Sequence, residues 1–194
     1  MLSAIENRRS IRRYKSTPVP KQMTEEIIRS GCLAPSSKNR QPWRFIVAEG
    51  DAKRELLDVM RRGQEREKQQ PLLPNSANFI KGAEYTISIM EQAPTVILVI
   101  NPLGIDVRKP VTSEDRIYEI CNAQSIGACM ENMTLTATDL GFGSLWICDT
   151  YFAYDELKTW AGGEITAAMV VGYADESPSK RPRRNFDDIV EWRG

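Results

Sequence analysis

Apolar positions along the chain follow two periods. Met23, Ile27 and Ile28 recur at helical spacing up to about Leu33, where Pro35 stops the run. Trp43 to Ala48 alternates instead, Trp43, Phe45 and Val47 against Arg44 and Ile46, which predicts a strand. Leu56, Leu57 and Met60 form the buried stripe of a helix capped by Asp51 and running to about Arg62. Thr95 to Ile100, TVILVI, is apolar throughout and predicts a strand buried on both faces. From Ser113 a helix extends to about Leu140, with Glu114 and Asp115 suited to its first turn. Its apolar residues, among them Ile117, Ile120, Met130 and Met133, cover more than one side, so it belongs in the middle of the fold or at a subunit interface. After Gly141-Phe142-Gly143 come a strand from Ser144 to Cys148, a short helix from Tyr154 to Trp160, and a further strand from Ile165 to Tyr173. At the start, Ser3-Ala4-Ile5-Glu6 has the form of a capping box opening a short helix.

Two stretches lack such a period. Gly63 to Asn78 is polar and rich in breakers, which predicts a long surface excursion before a helix resumes near Phe79 and ends before Pro94. The excursion, 63–91 with that helix, is either a lid or a linker without a role. The tail from Ala174 to Gly194 carries Pro, Arg and only Phe186, Ile189, Val190 and Trp192 as apolar anchors, too few for a core of its own, so it should dock on something. Neither repeats nor a shift in composition divides the chain, and 194 residues suit a single domain, 1–194. No apolar run approaches the roughly 20 residues of a membrane span, and the first residues lack a signal-peptide pattern. The expectation is a soluble, cytoplasmic protein.

Charge narrows the chemistry. Lys plus Arg equals Asp plus Glu, 26 against 26, so a nucleic-acid partner is not expected. Within that balance Arg8 to Tyr14, RRSIRRY, sets four guanidinium groups and a hydroxyl in one short stretch, and Lys180-Arg181-Pro182-Arg183-Arg184 repeats the concentration near the far end. If the first is extended, Arg8, Ser10 and Arg12 line one side and Arg9, Ile11 and Arg13 the other. It is then an anion cradle of forked, charge-assisted donors, or else a solvated basic arm. Between them the turn Pro35-Ser36-Ser37-Lys38-Asn39 offers short donors for an anion or a carbonyl edge, or simply a polar helix end. Cys32, Cys121, Cys129 and Cys148 are scattered and His is absent, so neither a metal site nor a disulfide framework is expected. Cys121 and Cys129 should pack in the long helix, and Cys148 should be a buried spectator. The missing His also removes the usual activation of a Ser or Cys nucleophile, so the chemistry must come from a bound group.

Arg-Arg-Ser-x-Arg, then Ala-Pro-Ser-Ser-x-Asn-x-Gln-Pro-Trp, then Gly-x-Gly-Ser-x-Trp-Ile, then a late Gly-Tyr followed by Lys-Arg-Pro-Arg, occur in that order. The series resembles the FMN-dependent nitroreductase family over most of the chain, apart from Arg61 to Glu91. That resemblance implies an α+β fold with a mixed, mostly antiparallel central sheet flanked by helices. It also implies an intertwined homodimer whose C-terminal extension, 175–194, is exchanged onto the partner. By the same resemblance Arg8, Arg9 and Ser10 hold the FMN phosphate with Arg183, Arg181 shares that role, and Arg12 lies towards the pyrimidine edge, favouring the reduced, anionic flavin. Pro35, Ser36, Ser37 and Asn39 would lie on the flavin of the partner, and the backbone of Ile147, Cys148 and Asp149 would pass the ring near N5. The implied activity is hydride transfer from NADH or NADPH through FMN to a nitroaromatic, quinone or similar flat acceptor in ping-pong order, with no side-chain acid or base. Alternatives are a specialised flavin enzyme of the same fold, such as a dehalogenase or dehydrogenase, and a flavin-binding protein without significant turnover.

Overall fold

A computed structural model describes every residue of the chain except Leu73. Among the described residues, ten α-helices and strands follow one another: α1 (Ser3–Asn7), α2 (Lys21–Cys32), β1 (Arg44–Ala48), α3 (Gly50–Gln69), α4 (Ile80–Gln92), β2 (Thr95–Asn101), α5 (Ser113–Asp139), β3 (Gly143–Ile147), α6 (Tyr154–Ala161) and β4 (Glu164–Gly172). The strands form one sheet in the order β1-β2-β4-β3. Each neighbouring pair is antiparallel. The parallel part of the sheet is confined to an isolated bridge between Ser10 and Ser144. This is the α+β arrangement expected, with its mixed character reduced to a single contact.

Alternation within the strands divides the core into two layers. Val96, Leu98 and Ile100 of β2, with Ala168 and Val170 of β4, face α3, α4 and α6, where Leu56, Met60, Ile87, Met90 and Leu157 complete one cluster. Ile97 and Val99, with Ala167, Met169 and Val171, face α2 and α5, where Ile27, Ile126, Met130 and Met133 complete the other. Every residue of β2 is buried, as the run TVILVI requires of a central strand.

Local boundaries differ at three places. Ser3 lies inside α1, with Leu2 at the cap and no side-chain cap hydrogen bond, so the expected capping box is not formed. Asp51 likewise falls within the first turn of α3 rather than at its cap. More consequentially, α3 does not stop near Arg62 but continues to Gln69, so the first part of the expected excursion is helical. Gln, Glu, Arg and Lys are good helix formers there. Gly63 serves close packing and does not break the helix: a Cβ at that position would lie 2.3 Å from the Ala153 Cβ. Leu73, also in the expected excursion, lies outside the described residues. Among the described residues, no helix is long and apolar enough to cross a membrane.

Candidate functional site

The arm after α1 runs beside the start of β3 and then beside the end of β4. Ser10 bridges Ser144, the Ile11 amide donates to the Ser144 carbonyl at 3.0 Å, and the Lys15 amide donates to the Tyr173 carbonyl at 2.9 Å. Ile11 and Tyr14 are the buried side chains that fix it. Tyr14 donates its hydroxyl to the Ile11 carbonyl at 2.7 Å. Burial, then the nearby Glu176 carboxylate, raises the Tyr14 pKa, so that hydroxyl stays protonated. With its apolar members facing the body, the arm presents its guanidinium groups outward.

Arg8, Arg9, Ser10, Arg12, Arg181 and Arg183 line one cleft of about 650 Å³, which Lys180 also lines. The arm is held by isolated bridges and not by a continuous ladder, so Arg9 shares this cleft with Arg8, Ser10 and Arg12 and the strict two-sided alternation does not hold. Arg9 donates to the Glu6 and Arg8 carbonyls at 2.7 and 2.8 Å. Arg12 donates to the Ser10 carbonyl at 3.1 Å, and Arg183 reaches the Arg181 and Pro182 carbonyls at 3.3 Å. Glu6 and Glu131 are the acidic residues of the lining. Among the described residues, none of the cleft's cationic side chains forms a salt bridge. A cavity with this surplus of forked donors is suited to a phosphate-like anion.

From Ser144, beside the arm, β3 runs to Ile147, roughly 10 Å at strand spacing, and Cys148 and Asp149 follow it. Ile147 is buried. Asp149 accepts a hydrogen bond from the Thr86 hydroxyl of α4 at 2.5 Å. Cys148 is exposed and not the buried spectator expected, because the strand ends there and the chain turns into a short 3-10 helix, Asp149–Ala153. Partial desolvation, then Asp149, nonetheless raises its thiol pKa, which opposes thiolate formation. Cys129 is fully buried in α5, where burial pushes its thiol up to about 12.

The Pro35–Asn39 turn is not part of the arm's cleft within one chain. It sits on α5: the Ser37 amide donates to the Ser125 hydroxyl at 3.2 Å, and the Arg40 guanidinium stacks 4.0 Å above the Tyr118 ring. Lys38, Asn39 and Gln41 have φ of 52°, 51° and 48°. Such left-handed backbone is strained for residues other than glycine, and Ser36 helps hold it by accepting the Gln41 amide on its hydroxyl at 3.0 Å. Ser125 and Tyr118 were not singled out from sequence, whereas Lys180 was named there as part of the second basic cluster. The seven-residue spacing of Tyr118 and Ser125, which puts them on one side of α5, was the signal for that pair. The N-terminal half of α5 leaves Ile117 and Ile120 exposed, and Trp146 of β3 is also partly exposed.

Residues 5–173 match the Nitroreductase family. A Haemophilus influenzae protein provisionally named an NAD(P)H nitroreductase is 24% identical over an alignment 223 positions long, covering 100% of this chain and 96% of its own. A solved structure provisionally named a nitroreductase, from Desulfovibrio desulfuricans in complex with FMN, superposes with a TM-score of 0.73 at 26% identity, covering 99% of this chain and 95% of that one. The FMN-dependent nitroreductase NfnB from Mycobacterium smegmatis, in complex with NADPH, shares the fold at a TM-score of 0.77 and 18% identity, covering 98% and 96%.

Proposed function

The chain belongs to the nitroreductase family, and from that premise we propose that it is an FMN-dependent NAD(P)H oxidoreductase reducing nitroaromatics, quinones or similar flat acceptors. One observation carries the reading: guanidinium groups from both ends of the chain converge on one cleft and, among the described residues, none of them forms a salt bridge. The residues present fit the cofactor. A phosphate dianion takes several charge-assisted donors, which Arg8, Arg9, Arg181 and Arg183 supply, and Ser10 adds a neutral one. In this reading the ribityl chain runs along β3, from the Ser10–Ser144 bridge towards Ile147, Cys148 and Asp149. The FMN held by the Desulfovibrio protein and the NADPH held by NfnB support the choice of ligands.

When bound, FMN supplies two-electron transfer between a nicotinamide and a flat acceptor that use the same site in turn. The chain's own part is to bind and orient. In this reading Arg12 lies towards the pyrimidine edge, where a guanidinium favours added negative charge, and Ile147, Cys148 and Asp149 form a wall beside the ring. The Pro35, Ser36, Ser37 and Asn39 turn of one copy covers the ring held by the other, in a homodimer. Exposed Ile117, Ile120 and Trp146, and a tail whose Phe186, Ile189 and Trp192 are 62%, 57% and 85% exposed, are apolar surface that a second copy would cover. The whole chain, 1–194, acts as one FMN-binding domain, with 63–91 as the lid and 175–194 as the embracing tail.

The test is the visible spectrum of the purified protein, repeated anaerobically with NADH and separately with NADPH. Flavin absorbance bleached by one donor and restored by a quinone or nitroaromatic supports the reading. A colourless protein that cannot be reconstituted with FMN overturns it.

A further inference from the structure

We propose that Glu176 is a positioning residue for the anion cleft, fixing the register in which the tail's cations meet those of the arm. The arm and the segment after β4 pair as a short antiparallel ribbon. Tyr14 bridges Ala174, and the Asp175 amide donates to the Arg13 carbonyl at 2.9 Å. One step further the ribbon has no backbone acceptor for the Arg12 amide, and the Glu176 carboxylate takes it instead. Ser177 and Pro178 then lead the chain to Lys180, Arg181 and Arg183 at the cleft. Beyond Glu176, every hydrogen bond of the tail among the described residues stays within the tail.

Glu176 is therefore the last tie between the body and the tail's cations, which lie opposite Arg8, Arg9 and Arg12 with like charge. Repulsion between the two sides drives them apart, and an anion between them reverses its sign. The arm side is held as well: Arg12 is fixed through its amide by Glu176 and through its guanidinium by the Ser10 carbonyl. A carboxylate so close to a phosphate site opposes anion binding by charge while assisting it by geometry. These two effects have opposite signs, so substitution separates them.

The inference rests on the proposed flavin site only in taking the cleft to bind phosphate. Inorganic phosphate is titrated by calorimetry into the full chain freed of small molecules, with hydrogen exchange followed over 177–185. Glu176→Gln keeps an acceptor for the Arg12 amide and loses the charge, so it should bind phosphate as tightly as the wild type or more so. Glu176→Ala loses both, and should bind about tenfold more weakly while 177–185 exchanges freely. An alanine variant that binds as well as the glutamine variant overturns the proposal. Amide exchange by NMR in the wild type reads the same contact without a substitution: the Arg12 amide should be protected, and more so with phosphate, and an unprotected one also overturns it. Titrations with FMN and riboflavin separate the two readings. A wild type that takes phosphate but not FMN sinks the flavin site and leaves the Gln and Ala comparison decisive, whereas one that binds neither overturns both.

Discussion

Ile11 rests on Gly143 with no space for a side chain between them: a Cβ on Gly143 would lie 2.8 Å from the Ile11 Cγ1. That contact seats the arginine arm on the edge of the sheet. Gly143→Ala should push the arm outward and cost about 1–3 kcal/mol, the usual range for forcing a methyl into a packed site. Urea unfolding measures the stability, and a parallel FMN titration should show weaker binding, since Ser10 and Arg12 move with Ile11. Wild-type values in both would mean that the arm adjusts at no cost.

Among the described residues, Arg183 reaches only backbone carbonyls, at 3.3 Å. Its truncation should therefore leave the fold unchanged and show in binding. Arg183→Ala is expected to weaken FMN by about 1.5–3 kcal/mol, the range for a hydrogen bond to a charged group. Riboflavin, which lacks the phosphate, should bind both proteins alike. An FMN affinity unchanged by the substitution removes Arg183 from the site.

Much of this was legible in the sequence for identifiable reasons. The all-apolar run of β2 and the long periodic stretch of α5 declared their elements, because period and length are properties of the chain itself. The convergence of Arg8 and Arg183 was accessible only through the order of the motifs. Nothing local relates two segments so far apart. Gly63 misled because a glycine that admits Ala153 and a glycine that ends a helix look the same until the neighbour is known. The Ser37 turn was visible as a polar loop, but its anchors Ser125 and Tyr118 lie on a helix, where their spacing marks a shared side without saying what that side holds.

Ile117 and Ile120, 59% and 50% exposed on α5, provide a test of assembly. Ile120→Glu places a charge on that apolar surface and is expected to yield a monomer by sedimentation velocity. Because the Pro35–Asn39 turn would reach the flavin of the other copy, the monomer should also lose FMN. A monomer that retains stoichiometric flavin contradicts the shared site, and an unchanged dimer moves the interface elsewhere.

Acid should loosen the loop between β2 and α5 before it affects the sheet. Asp106 in that loop bonds Arg108 and Lys158, each at 2.9 Å, and Arg108 continues to Asp155 at 2.7 Å. Lys158 also pairs with Glu164, which accepts the Tyr154 hydroxyl, while the Val107 amide donates to Tyr154 at 3.1 Å. The Arg108 and then Lys158 hydrogen bonds hold the Asp106 carboxyl well below the usual carboxylate range. A depressed carboxyl contributes its full stability above the unfolded-chain pKa of about 3.9 and loses it as pH falls towards the folded value. The partner behaves oppositely: the Lys158 pKa is raised, first by Glu164 and then by Asp106, so its contribution disappears only at pH above about 10.4. Wild-type stability should therefore fall as pH drops below about 4, and Asp106→Asn should be less stable at neutral pH but flatter over that acid range. Parallel curves for the two proteins would show that other carboxyls govern acid unfolding.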